Sequence, residues 1–302
     1  MEKSCDEQLV LSNTLNDVKK LLPERREDGH KGTFGKAVVI GGSARYVGAP
    51  QFAASAASRT LALCGAAAMR CGAGTGTLAV PDFLAQALYP YVKYTAVFPL
   101  SSKDGNIVFL PDEAEELTRK ATACAVGMGM DGGDALSYVR YLLDETPCTV
   151  VLDADGLKCT RFIDDFAGRV VLTPHIGEMA AMTGMPAEKV SENAAETCRE
   201  YAARKNCVVL LKDCVSYISD GANVYANVSG NSALSKGGSG DVLSGITVGL
   251  AAWKISPLSA ARLGAYILGR SAELSRVNRI AHLPDDIIGA LPTVFDELQE
   301  NN

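Results

Sequence analysis

Apolar residues in this chain follow two rhythms. Short runs rich in Val, Ile, Leu and Ala alternate with longer stretches in which apolar positions recur every three or four residues. Ala37–Ile40, Thr77–Val80, Tyr94–Phe98, Ala123–Val126, Thr149–Leu152, Val170–Leu172 and Val208–Leu211 read as strands. Their nearly unbroken apolar character suits a sheet covered on both faces. Val215–Ile218 and Val224–Val228, split by Asp220-Gly221, read as a hairpin. Helical spacing covers about 50–70, Leu136–Leu143, Val242–Ala252 and Pro257–Leu274. This alternation predicts an α/β fold of three layers, α/β/α, around a central, mostly parallel sheet. Such folds bind ligands beyond the carboxyl ends of their strands, and most of the polar motifs follow a predicted strand.

Ser235-Lys-Gly-Gly-Ser-Gly-Asp241 carries the strongest chemical signal. Gly237, Gly238 and Gly240 form a loop opening the helix that starts near Val242. Helix-initial N–H groups lack internal partners and carry partial positive charge, so the loop suits a phosphate. A carboxylate beside an anion site repels phosphate unless it has another task. Deprotonating a hydroxyl that attacks a phosphoryl group is such a task for Asp241. Its plain alternative is a helix cap.

Other strand ends offer weaker candidates. Gly127-Met-Gly-Met-Asp-Gly132 matches a dinucleotide fingerprint, although that motif belongs in a first βα unit. A tight strand-to-helix turn explains it equally. Asp153 and Asp155 could hold magnesium through water, orient a substrate hydroxyl, or merely cap a turn. His175, in Thr173-Pro-His-Ile-Gly-Glu178, faces a strand's carboxyl end and is a candidate substrate contact. Glu178 sits near a helix start, where an electrostatic role is natural. Lys212 ends a strand and could meet a nucleotide phosphate. His30 and His282 lack such context, and His282 reads as structural. Lys31–Lys36 is not a P-loop, because His30 stands where glycine is required and Ala37 replaces the Ser or Thr.

Composition narrows the classes. The 302 residues are 47% hydrophobic and 21% charged, with no linker-like shift, so one domain spanning 1–302 is expected. A net charge of −6 without basic runs argues against nucleic acid. Nine scattered cysteines without C-x-x-C spacing suit a reducing cytoplasm. No apolar stretch reads as a signal peptide or a membrane span.

Taken in order, LPERREDGHKGTFGKAVVIGGS, YVGAPQFAA, RCGAG, VLDADGL, LTPHIGEM, SGNSALSKGGSGDVLSGI and DDIIGALP resemble the ADP/ATP-dependent NAD(P)H-hydrate dehydratases of the ribokinase-like superfamily. The similarity runs from about Leu22 to Leu291. No epimerase domain fits before it, so the chain resembles the stand-alone dehydratase. The resemblance implies nicotinamide-nucleotide repair: hydrated NADH or NADPH is phosphorylated on its ring hydroxyl by ADP, or ATP, with Mg2+, and phosphate is then eliminated. Asp241 would activate the hydroxyl, and Gly238, Ser239 and Gly240 would form the anion hole. Lys212, Asp213, Cys214, Val215 and Ser216 would line the nucleotide site. Ala49, Gly129, His175 and Asp241 would touch the hydrated substrate. A homotetramer is implied too, and the Ala-rich helix Gln51–Met69 has more apolar surface than one core readily covers.

The chain departs from the family pattern at Asp213, Met128, Gly156 and Lys158. A ribokinase-like kinase of vitamin precursors, a non-catalytic nucleotide-binding protein and an NAD-dependent oxidoreductase built on Gly127–Gly132 are the competing readings. Hydride transfer has no use for the Gly loop before Asp241.

Overall fold

The computed structural model describes residues 10–44, 53–131 and 133–300, except the side chains of 53–59. In chain order the strands are β1 (Val10–Ser12), β2 (Lys36–Ile40), β3 (Thr75–Pro81), β4 (Ala96–Leu100), β5 (Ser102–Lys103), β6 (Asn106–Ile107), β7 (Ala123–Val126), β8 (Thr149–Leu152), β9 (Val170–Leu172), β10 (Val208–Leu211), β11 (Ser216–Ser219) and β12 (Val224–Asn227). β5 and β6 pair as a small ribbon, and the other strands form one sheet in the order β1-β12-β11-β10-β9-β8-β7-β2-β3-β4. Pairing is parallel from β4 through β10. The β11–β12 hairpin then adds antiparallel strands, as its Asp-Gly turn predicts. Strand order reverses between β2 and β7, the kind of crevice that receives ligands in open α/β sheets.

Continuous apolar runs form these strands because successive side chains feed two different cores. Ala37, Val39, Ala125, Val151, Val171 and Leu210 face one helical layer. Val38, Ile40, Cys124, Val126, Leu152, Leu172 and Leu211 face the other. Helices α1 (Leu15–Val18), α2 (Ala53–Arg70) and α3 (Asp82–Leu88) lie on the first side, while α4 (Pro111–Thr118), α5 (Ala135–Glu145), α6 (Ile176–Thr183), α7 (Ala187–Glu192) and α8 (Ala194–Lys205) cover the second. Helices α9 (Ser239–Ala252), α10 (Pro257–Leu274) and α11 (Pro284–Gln299) complete the first layer.

The expected strand at Tyr94–Phe98 lies two residues later, at Ala96–Leu100. Tyr94 is left exposed, and Pro99 is tolerated because β4 is an edge strand with a single partner. The helix expected from residue 50 is described from Ala53, and Ala49 lies outside the described residues.

Helix α9 is apolar on all sides and almost wholly buried between the sheet and α2. Glycines four residues apart permit that seat. A Cβ on Gly245 would lie 2.2 Å from the Cys64 carbonyl oxygen, and one on Gly249 would lie 2.6 Å from that of Ala68. At the far end, Gly35 (φ +73°) would place a Cβ 2.0 Å from the Ala252 carbonyl oxygen, so the HKGTFG stretch packs against the helix's last turn. Gly249→Ala separates the forces. Helix propensity alone favours Ala by about 1 kcal/mol. Backbone overlap with α2 outweighs it, so a net loss of about 1–3 kcal/mol is expected from urea unfolding. A variant as stable as the parent would refute this contact.

Candidate active site

Parallel pairing continues past the ends of β9 and β10 and brings the polar motifs side by side. His175 and Lys212 form an isolated parallel bridge, and the Lys212 N–H donates to the Pro174 carbonyl at 2.8 Å. The Thr173 N–H and hydroxyl both donate to the Leu152 carbonyl, at 3.1 and 3.2 Å. The residues after β8, β9 and β10 therefore share one edge with the first turn of α9.

His175 caps α6. Its Nδ1 accepts from the Gly177 and Glu178 N–H groups at 3.0 and 3.2 Å, while Glu178 Oε2 accepts the His175 N–H at 2.8 Å. This reciprocal box satisfies the helix start. It also leaves the ring proton on Nε2, 3.5 Å from Glu178 Oε2.

Between these segments lies a buried charge cluster. Asp153, only 4% exposed, accepts from Lys212 Nζ at 3.0 Å and from the Ser244 hydroxyl at 2.9 Å. Lys212 Nζ also stands 4.0 Å from Glu178 Oε2. Burial disfavours the Lys212 ammonium, but Asp153, Glu178 and Asp241 outweigh it and raise its pKa above the ordinary value. Asp241 moves the other way for a carboxyl. Burial first, and repulsion by Asp153 second, push its pKa up to about 7 against the opposing pull of Lys212 and the Thr60 hydroxyl. A carboxyl titrating there suits proton abstraction near neutral pH.

The glycines of the loop divide by role. Gly238 is the N-cap of α9 at φ +97°, where a Cβ would sit 2.8 Å from Pro284 at the start of α11. Its bareness is dictated by the backbone. Gly237 has nothing within 4 Å of a Cβ, and Gly240 only ordinary contacts at 3.5 Å or more. Neither has an internal reason to be glycine, and both leave open space at the start of α9. Among the described residues, the backbone N–H groups of Gly240 and Asp241 find no acceptor, while Ser239 N donates to Lys236 O and Val242 N to Gly238 O. The Ser239 hydroxyl is buried without a partner. These three donors belong to consecutive residues in the first turn of α9. Ser239 and Gly240 border a cavity of about 780 Å³ that is also lined by His175, Lys212, Asp213, Cys214, Ser216 and residues 229–232 and 234–238. Val215, Gly129 and Asp241 are not on that lining, although Asp241 lies in the first turn of α9.

A family model described as NAD(P)H-hydrate dehydratase matches residues 60–293. The chain belongs to the NAD(P)H-hydrate dehydratase family. It is 31% identical over 290 residues to the ADP-dependent (S)-NAD(P)H-hydrate dehydratase of Bacillus subtilis, covering 95% of this chain and 98% of that one. It is 35% identical over 292 residues to the bifunctional NAD(P)H-hydrate repair enzyme Nnr of Moorella thermoacetica, but spans only 52% of that protein, about half its length. The Bacillus subtilis ADP/ATP-dependent NAD(P)H-hydrate dehydratase co-crystallised with ATP/Mg2+ superposes with a TM-score of 0.78 at 27% identity, covering 96% of this chain and 99% of that one. A ribokinase-like protein of Enterococcus faecalis has the same fold, with a TM-score of 0.75 at 22% identity over 99% of both chains.

Within this family site, two sequence readings need correction. Gly127 to Asp131, the described part of that motif, do not lead directly into a helix as a dinucleotide cradle requires, and Gly132 lies outside the described residues. α5 starts only at Ala135, and Gly127 (φ +124°) is bare because a Cβ would meet the Asp153 carbonyl at 2.1 Å. The second is the pairing of Asp153 with Asp155. Asp155 turns away, accepting the Asp131 N–H at 2.7 Å and pairing with Lys158 at 2.6 Å. Ser244 and Thr60 escaped sequence reasoning. Ser244 recurs three residues after Asp241, a spacing that places both on one helix face.

The raised Asp241 pKa has a stability consequence. Its folded value exceeds the ordinary 3.8, so the ionised form costs stability above about pH 7, and the cost fades as pH falls toward 3.8. Asp241→Asn is expected to melt several degrees higher than the parent at pH 8, the gain having an upper bound of about 4 kcal/mol. No gain at pH 8, or an equal gain at pH 4, would refute the buried-carboxylate reading.

Proposed function

We propose that this chain repairs nicotinamide nucleotides, using ADP or ATP to dehydrate hydrated NADH and NADPH as a single-domain enzyme. One observation carries the reading: a buried carboxyl whose pKa burial and Asp153 push up to about 7 shares the first turn of α9 with Gly240 and Asp241 N–H groups and a buried Ser239 hydroxyl that lack partners among the described residues. The relatives' printed activities support it. In the step we infer, Asp241 takes the proton of the ring hydroxyl as its oxygen attacks the terminal phosphorus of ADP, and AMP leaves. The Ser239 hydroxyl and the Gly240 and Asp241 N–H groups receive the negative charge of the transferring group. The C–O bond then breaks as the adjacent ring nitrogen donates its electron pair. Loss of a proton from the neighbouring carbon restores the double bond and frees inorganic phosphate. A kinase of vitamin precursors would stop at a stable phosphoester.

His175, Lys212, Asp213, Cys214 and Ser216 are the proposed contacts at the cavity wall, and Val215, off that wall, Ala49 and Gly129 remain proposed contacts of nucleotide and hydrated substrate. Asp213 lines the cavity with its carboxylate accepting the Cys214 N–H at 2.7 Å, which directs its charge into the turn. Mg2+ enters as part of the nucleotide complex. Asp153 and Glu178 already have oxygens engaged, and no group of three or more His, Cys, Asp or Glu among the described residues forms a metal cage. Phosphate and water ligands suit magnesium there.

A homotetramer in the cytoplasm is the proposed working form. The described side chains of α2 from Leu61 to Ala68 are largely covered by α9 and α11, so that half of the helix offers little apolar surface to a partner. Exposed Phe83, Tyr89 and Tyr94 near the open edge at β4 support association instead. No helix among the described residues is long and apolar enough to cross a membrane.

With ADP and hydrated NADH, the expected products are NADH, AMP and free phosphate in equal amounts, read by absorbance and phosphorus NMR. A lasting phosphoester, or no turnover with either nucleotide, would overturn the dehydratase. The rate should rise with pH through about 7 as Asp241 ionises. Asp241→Asn should retain nucleotide binding and lose about 10²–10⁴-fold in turnover. Light scattering is expected to give a multiple of the 31.8 kDa chain, and a monomer mass at micromolar concentration would exclude the tetramer.

A further inference from the structure

Asp153 is the centre of the buried cluster, yet the reaction above gives it no task. β8 delivers it to the sheet edge, and both of its oxygens are held. Ser244, which donates to one oxygen, is fully buried in α9 three residues beyond Asp241. Lys212, which donates to the other, comes from the end of β10. The two arms therefore tie the first turns of α9 to the ends of β8 and β10, which flank β9. The pair also lies directly against the cradle. A Cβ on Gly240 would stand 3.5 Å from Lys212 Nζ and 3.6 Å from Asp153 Oδ2.

Asp241 is faced by Asp153 from the end of β8, by Lys212 from β10, and by the Thr60 hydroxyl and Cys64 thiol from α2. Glu178 of α6 acts through Lys212. Two carboxylates and one ammonium share this buried space. The ammonium makes its hydrogen bond to Asp153, which leaves Asp241 as the group that exchanges a proton. An ordinary aspartate is too weak a base to share an alcohol's proton in a transition state, so a fixed anion behind it is useful.

We propose that Asp153, clamped by Ser244 and Lys212, is a positioning residue that holds the Lys212 ammonium at the mouth of the phosphate cradle and keeps that ammonium from neutralising Asp241. The proposal rests on Asp241 acting as the base. It assigns Asp153 no contact with substrate, and it gives Ser244 a task in the site.

Asp153→Asn keeps the shape and removes the charge. In the unliganded protein, carboxyl carbon-13 NMR, with Asp241 assigned by difference from Asp241→Asn, should show its midpoint fall by about one pH unit or more. The acidic limb of kcat/KM should fall with it, and kcat on the plateau should drop about tenfold or more. Ser244→Ala keeps every charge and releases one arm. It should lower kcat several-fold, leave the nucleotide KM within about twofold, and raise the Asp241 midpoint slightly. An unmoved Asp241 midpoint in Asp153→Asn would overturn the proposal even if the parent is a dehydratase. A lowered midpoint in a protein without dehydratase activity would keep the coupling and sink the reading of function. Should Asp153→Asn fail to fold, unchanged kcat in Ser244→Ala would be the overturning result.

Discussion

Close contact between α9 and α2 is the constraint on which the architecture turns. A helix that is apolar all round must be covered all round, and only Gly245 and Gly249 let the backbone of α2 come near enough. Seated there, α9 runs against the parallel strands, with its last turn at Gly35 and Thr122 and its first turn beside Asp153. Its unpaired N–H groups consequently point to the sheet edge where the strand ends gather. Packing in the core thus fixes where the anion site stands.

The same seat carries an electrostatic cost. Asp241 is placed where burial and Asp153 both oppose its ionisation, and a sequence selected for stability alone would have no carboxyl there. In the proposed reaction, the stability given up is what would make the group a useful base near neutral pH. Lys212 limits that cost without abolishing it, because its direct hydrogen bond goes to Asp153. Breaking such a buried arrangement on one side leaves an uncompensated charge, so the members of the cluster stand or fall together.

Positions where the chain leaves the family's sequence pattern have physical explanations that leave the cradle intact. Met128 is fully buried in the core. Lys158 is an exposed partner of Asp155. Gly156 lets two loops touch, since a Cβ there would lie 2.3 Å from the Val126 carbonyl. None of the three lines the large cavity, while Asp213 does so with its charge turned toward its own backbone.

Periodicity alone was enough for the layered α/β class, since Thr149–Leu152, Val170–Leu172, Val208–Leu211 and Pro257–Leu274 are bounded as their apolar runs suggest. The Gly loop and Asp241 were legible because a turn-to-helix change is a local signal. Tyr94 misled because an aromatic residue before an edge strand has high strand propensity whether or not it is paired. What only the tertiary structure decided is partnership. Nothing local distinguishes Asp153 from Asp155, yet one faces Lys212 and Ser244 and the other faces Lys158. Nothing local separates Gly238, required by its φ of +97°, from Gly237, required by no neighbour. The proton affinity of Asp241 depends on groups carried by β8, β10 and α2. Burial and charge proximity are properties of chain segments distant in sequence, so they exist only once the sheet has brought those segments to one edge.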